Sequence, residues 1–258
     1  MKVKKVVFIH GMFVTNRCWN DWENYFNERG FECEAPAWPL KDLSPGELRA
    51  KHPNCDGEGK ITLGDVVSFF EKHIASQRED TILIGHSMGG LIVQILLSRG
   101  LGWAGVVIDS APPLGVVTPK FSFLKSNWPL LNPFPSMTTP ALLTKSQFQY
   151  AFARHLTGNR LDRGYDGVVP QSKLVGWGAL TSIAKIDFTK KKNVPLLFIA
   201  GEDDNIIPAS LNESNFRKYS KNGSRTDYKV FPRRTHYLLN DDGWQEIADY
   251  ILKWLHAL

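Results

Sequence analysis

The stretch that most constrains the fold is "TILIGHSMGGLIVQILL", residues 81–97. A run ending in Ile-Leu-Ile leads into Gly-His-Ser-Met-Gly-Gly, and an apolar-rich run resumes at once. A short β-branched apolar run between turn signals reads as a buried strand, and the longer run after it as a helix. The flanking glycines let the backbone turn sharply and let the helix pack close. A chain of this length shows Gly-x-Ser-x-Gly by chance about one time in ten. Strand, turn and helix in that order give the pattern a mechanical meaning, because such a turn lifts the serine hydroxyl above the sheet edge.

The same rhythm runs along most of the chain. Val3 to Ile9 reads as a first buried strand. A helix from about Trp19 to Arg29 follows, with Trp19, Trp22, Tyr25 and Phe26 at helical spacing and Gly30 as its stop. Phe31 to Ala35 is a short second strand, and the Pro-, Gly- and Asn-rich residues 36–60 read as a loop. Thr62 and Asp65 form a capping pair for a helix that carries Val66, Phe70 and Ile74 on one face. Thr81 to Ile84 and Ala104 to Asp109 are the third and fourth strands, separated by a helix ending near Gly100. Pro195 to Ala200 and Thr226 to Phe231 are the last two strands, with a helix opening at Pro208 between them. A closing helix carries Trp244, Ile247, Ile251 and Leu255.

Between 114 and 190 the rhythm breaks: prolines and aromatics are frequent and no strand is clear, although Thr144 and Gln147 form a capping box. Strands alternating with helices imply an α/β fold, a mostly parallel sheet covered on both faces. Residues 1–113 and 191–258 then form one core domain, and 114–190 is a helical cap insertion.

Composition narrows the class. At 258 residues, 43% apolar and 22% charged, the chain suits one α/β domain with an ordinary core. Its apolar runs stay below the roughly 18 residues of a transmembrane helix, and its start lacks the h-region of roughly 7–15 residues of a secretory signal. We therefore expect a cytoplasmic protein without membrane insertion. Three cysteines have no framework spacing and are expected as thiols. His52, Cys33 and Cys55 lack the paired spacing of zinc ligands, so no metal is expected. The net charge of +5 is carried by short runs, Lys190–Lys192 and Arg233–Arg234. Without a recognisable module this reads as a solvated basic surface, not a nucleic-acid interface.

A serine hydroxyl needs a base, and the base needs an orienting acid. Of seven histidines, His236 in "FPRRTHYLL" follows the last strand and so lies at the C-terminal sheet edge, where open α/β sheets bind ligands. His10 precedes Gly11 at the end of the first strand, and His86 adjoins Ser87. His52, His73, His155 and His256 fall away from strand ends. Glu202, Asp203 and Asp204 follow the fifth strand and supply candidate acids, with Asp109 at the end of the fourth strand as a competitor.

Four segments together resemble the α/β-hydrolase superfamily. "FIHGM" resembles its oxyanion loop, "GHSMGG" its nucleophile elbow, "GEDDNIIP" its acid loop, and "RRTHYL" its histidine loop. The order Ser, Asp, His along the chain is that of the family. The resemblance implies a triad of Ser87, Asp204 and His236, with the backbone N–H groups of Met12 and Met88 as the oxyanion hole and His10 and Gly11 as loop structure. The chain starts almost on the strand before the oxyanion loop, which implies about six strands, as in compact esterases similar to plant methylesterases and hydroxynitrile lyases. The lyases carry lysine just after the histidine, where this chain has Tyr237. Epoxide hydrolases and dehalogenases carry Asp at the elbow, where it has Ser87.

The resemblance therefore implies a cofactor-free serine hydrolase of small to medium carboxylic esters, apolar near the ester. Trp128, Phe134, Phe148 and Tyr150 are the candidate pocket lining, with Phe121, Phe123, Phe152 and Trp177 beside them in the cap. Lactonase, thioesterase, amidase and perhydrolase chemistry use the same constellation. A ligand receptor on the same fold, with slow turnover or none, is the alternative from a different class.

Overall fold

The computed structural model describes residues 4–77, 79–132, 136–189, 194–219, 223 and 225–258. Phe134 and the lysine run 190–192 lie outside them. The elements in chain order are β1 (Lys5–Ile9), α1 (Asn20–Asn27), β2 (Glu32–Glu34), α2 (Pro45–Ala50), α3 (Leu63–Ala75), β3 (Ile82–His86), α4 (Met88–Ser98), β4 (Ala104–Ile108), α5 (Phe121–Leu131), α6 (Lys145–Ala151), α7 (Gly158–Asp166), α8 (Lys173–Gly178), β5 (Leu196–Gly201), α9 (Ala209–Tyr219), β6 (Thr226–Phe231) and α10 (Gln245–His256).

The six strands form one sheet in the order β2-β1-β3-β4-β5-β6, every pair parallel. The strand order reverses between β1 and β3, and open α/β sheets bind ligands where that reversal occurs. Alternate strand residues feed two cores. Val6 and Phe8 pack with Trp19, Trp22 and Phe26 and with Ile247 and Ile251 of α10. Val7 and Ile9 pack on the opposite face with Val66 and Phe70 of α3 and with α4. The central strands β3 and β4 are buried along their whole length, as their unbroken apolar runs require. Helix α4 is buried on every side from Met88 to Leu97, matching its all-round apolar sequence.

Helix starts follow local chemistry. Thr62 caps α3 in a reciprocal box with Asp65, and Thr144 caps α6 with Gln147. The segment 36–60 is not simply a loop. Ser44 forms a capping box with Glu47, Pro45 takes the first helical position, and α2 follows. A 3-10 turn at Cys55–Lys60 completes the segment. It is fastened by a buried ion pair, Lys41 to Glu58 at 2.8 Å. Lys41 also donates to the Pro170 carbonyl, and Glu58 accepts the Ser172 N–H. A fully buried lysine is tolerated only with such partners.

Helices α5 to α8 lie in the connection between β4 and β5. Three contacts bring this connection to the C-terminal ends of the strands. Val169 N–H donates to the Phe13 carbonyl, Gln171 Oε1 accepts the Phe13 N–H, and Tyr237 N–H donates to the Phe152 carbonyl.

Candidate active site

Ser87 occupies the one-residue turn between β3 and α4. Its backbone has φ 57° and ψ −122°, a conformation an L-residue adopts only under constraint. The constraint comes from both sides. Ser87 N–H donates to the Ile108 carbonyl, and its own carbonyl accepts from Gly90, Leu91 and Ala111. At Gly89 a Cβ would stand 2.1 Å from the Ile9 carbonyl oxygen, so only glycine lets α4 approach β1 this closely. At Gly11 a Cβ would stand 2.8 Å from the Ser87 Cβ, so the loop after β1 runs directly past the serine.

Met88 is the first residue of α4. An N–H there has no acceptor within the helix and sits at the positive end of the helix dipole. Met12 follows Gly11 on the loop that touches Ser87. That loop is braced by His10, whose Nδ1–H donates to the Gly11 carbonyl at 2.8 Å while Nε2 accepts the Trp38 N–H at 3.2 Å. The His10 ring also stacks on Trp38 at 4.6 Å. Burial lowers the His10 pKa to about 3, so the ring is neutral, as its acceptor nitrogen requires.

His236 lies in the turn after β6 with its side chain fully buried. Its Nδ1–H donates to Asp204 Oδ2 at 2.6 Å. Asp204 Oδ1 in turn accepts the N–H groups of Ile206 and Ile207 at 2.7 and 2.8 Å, so the carboxylate cannot rotate. The far nitrogen of His236, Nε2, is buried without a hydrogen-bond partner. Burial lowers the imidazole pKa to about 3 and keeps it neutral in the resting molecule. A neutral imidazole with one nitrogen held by a carboxyl and the other open is the arrangement a general base needs.

Asp203 points elsewhere, to His155 Nε2 at 2.8 Å on the surface. Asp109 is fully buried, and its Oδ1 accepts the Gly201 N–H at 2.8 Å. Burial, and then the charge of neighbouring Asp204, raise its carboxyl well above the ordinary range. Burial raises Asp204 too, but the Ile207 and Ile206 N–H groups oppose it there, so Asp109 is the partner that keeps a proton.

Three neighbours of His236 are ones that no local pattern places beside it. His86 donates from Nε2 to the His236 carbonyl at 3.0 Å, and the two rings lie 4.5 Å apart. Burial, and then His236, lower the His86 pKa and keep it neutral. Phe152 meets the His236 ring edge-on at 4.9 Å. Asp109 is the third. Each is far from His236 in sequence; the strand order brings His86 and Asp109 to it, and the fold of the β4–β5 connection brings Phe152.

A cavity of about 240 Å³ reaches His236 and His86. Val14, Phe148, Phe152, Tyr237 and Leu239 give it an apolar lining, and the exposed Arg17 and Arg163 also face it. Phe148 is therefore beside the site. Trp128 and Tyr150 line a separate groove with Phe121 and Leu124, which shares no lining residue with the cavity at His236. Trp128 is 55% exposed there, because α5 turns Ser126 and Leu130 inward instead.

Comparison with known proteins agrees with this architecture. The profile described as "Alpha/beta hydrolase family" matches residues 6–250. No curated protein matches the sequence. Among solved structures, a variant of tomato Methylketone Synthase I is similar with a TM-score of 0.71 and 16% identity, covering 100% of this chain and 99% of that one. The methylesterase MES16 from Arabidopsis has a TM-score of 0.67 and 14% identity, with 99% and 100% covered. The monoacylglycerol lipase of Paleococcus ferrophilus has a TM-score of 0.65 and 18% identity, with 97% and 93% covered.

Proposed function

Because this chain belongs to the α/β-hydrolase family, we propose that it cleaves carboxylic esters through an acyl-enzyme. Ser87 attacks the ester carbonyl while His236 Nε2 takes its proton. The tetrahedral oxyanion is held by the N–H groups of Met12 and Met88. His236 then returns the proton to the leaving alcohol, and water activated by the same nitrogen releases the acid. Asp204 holds the Nδ1–H tautomer and stabilises the imidazolium. Each oxyanion donor is worth roughly 3–4 kcal/mol at comparable sites.

The observation that carries this reading is the buried Asp204–His236 pair at 2.6 Å with an open Nε2, packed against the residue that precedes the strained Ser87 turn. The segment 114–190 acts as a cap over the site, supported by its hydrogen bonds to Phe13 and Tyr237. The cavity beside His236 is small and mainly apolar, which favours short or medium acyl or alcohol groups. Phe148 is its substrate-facing aromatic.

The test is a panel of short esters, thioesters and lactones assayed with the wild type and Ser87→Ala. We expect steady turnover of esters and a loss on the order of 10⁶ in kcat for the variant. A burst that stalls would favour the receptor reading. Retention of more than a few per cent activity by a folded Ser87→Ala variant would remove the mechanism.

A further inference from the structure

Helix α5 is turned the wrong way for an ordinary amphipathic helix. Phe121, Leu124 and Trp128 stand three and four residues apart and share one face, yet they are 73%, 50% and 55% exposed. The inward face carries Ser126 and Leu130. A surface helix normally buries its apolar stripe, so an exposed one marks an interaction surface. The stripe is not isolated. It borders a groove of about 610 Å³ shared with Tyr150 and Pro129. Helix α8 continues it, its Trp177 indole donating to the Leu130 carbonyl at 3.0 Å. Val117, just before α5, is 81% exposed.

The segment that carries this face is rich in cations. Residues 114–190 hold nine Lys and Arg against three Asp and Glu, a net +6. The rest of the chain holds 22 against 23, a net −1. The whole excess of +5 thus comes from this one segment. Between Asp109 and Asp162 the sequence has no acidic residue. Lys120 stands at the N-terminal boundary of α5 without a side-chain cap hydrogen bond, and Lys125 lies within the stripe with its ammonium 3.9 Å from the Tyr150 ring centroid. Aromatic and leucine side chains flanked by lysines are the chemistry of a surface that lies on anionic lipid. The apolar groups enter the headgroup boundary while the lysine stems reach back to phosphates.

We propose that the outer face of α5, with the adjoining groove, docks peripherally on an anionic lipid bilayer. No helix crosses the bilayer: among the described residues none is long and apolar enough to do so. The inner face of the same helix turns toward the site, since Leu130 and the Met12 side chain both close on Gly176. The proposal stands on α5 and its charge and does not depend on the chemistry assigned to Ser87.

The experiment is co-sedimentation of the full chain with vesicles of phosphatidylcholine containing roughly 30% phosphatidylglycerol, and with pure phosphatidylcholine. Two variants are compared, Phe121→Ser/Leu124→Ser and Lys120→Glu/Lys125→Glu, with thermal melts to verify their fold. We expect binding to the anionic vesicles, weakened by salt. Each variant should lower the partition coefficient on the order of tenfold or more. Three results would overturn the proposal. The wild type could stay in the supernatant with anionic vesicles. Both folded variants could bind as the wild type does. Light scattering could reveal a dimer that Phe121→Ser/Leu124→Ser dissociates, in which case a second copy of this chain covers the face.

Discussion

Replacing Asp204 by Asn tests the proposed base more sharply than removing the side chain. Asp204 Oδ1 is held by two N–H donors, from Ile206 and Ile207 at 2.7 and 2.8 Å. Asn at this position must keep its oxygen there, because its amide nitrogen cannot accept those bonds. The amide nitrogen therefore takes the place of Oδ2 and presents a donor to His236 Nδ1, now 2.6 Å from an acceptor. Nδ1 must then give up its proton and accept, which moves the ring proton to Nε2. A protonated Nε2 cannot take the serine proton. The imidazolium also loses its carboxylate. Where this substitution has been made in a comparable triad, kcat falls roughly 10⁴-fold while the geometry survives. We expect a loss of that order, close to about 5 kcal/mol of barrier by the usual conversion of about 1.4 kcal/mol per tenfold. Asp109→Asn is the control. Burial and Asp204 already keep Asp109 protonated, so a neutral amide of the same shape should cost less than about tenfold. Asp203, bonded to His155 at the surface, should matter still less when changed to Asn. Steady-state hydrolysis of a short p-nitrophenyl ester by the three folded variants decides the matter. A deeper loss in Asp109→Asn or Asp203→Asn than in Asp204→Asn would refute the reasoning.

Two further expectations concern the elbow and the buried histidines. Gly89→Ala brings a Cβ to 2.1 Å from the Ile9 carbonyl, and backbone must move to relieve it; we expect a melting temperature lower by roughly 5–10 °C, from an overpacking cost of about 1–3 kcal/mol, and an unchanged melt would show that the contact yields easily. His10, His86 and His236 are all held neutral by burial, with His10 and His236 lowered to about 3. Between that value and the ordinary histidine pKa of about 6.5 the unfolded chain binds more protons than the folded one, so stability is full above about 6.5 and is lost as pH falls. Asp109, the carboxyl that keeps its proton, works in the opposite sense, but it is one group against three. The urea midpoint should therefore fall between about pH 6.5 and about pH 4.5, and a flat or rising midpoint would contradict the neutral assignment.

What the sequence made legible was local, and what it hid was not. The strand at 226–231 is bounded by the same residues in sequence pattern and structure, because alternating β-branched and aromatic residues end at turn signals on both sides. The elbow was equally readable, since glycine spacing encodes how near two backbones approach. The helix at Pro45–Ala50 was also encoded, in Ser44, Pro45 and Glu47, but the surrounding Pro and Gly masked the signal. Trp128 departs from expectation for a different reason. Aromatic side chains in an insertion suggest a lining, but sequence does not say which way a helix is rotated, and α5 faces its stripe outward. The same limit applies around His236. Spacing from Gly201 distinguishes Asp204 from its neighbour, and the two adjacent carboxylates do diverge, one to His236 and one to His155. Nothing local announces that Asp109, His86 and Phe152 converge on one imidazole. They converge because β3, β4, β5 and β6 lie side by side in the sheet, so residues at the ends of β3 and β4, and one from the connection between β4 and β5, share a single small volume with the histidine that follows β6. That convergence also sets the chemistry. It buries His236, keeps the ring neutral, and leaves Nε2 as the nitrogen without a hydrogen-bond partner, the atom to which the proposed mechanism assigns the serine proton.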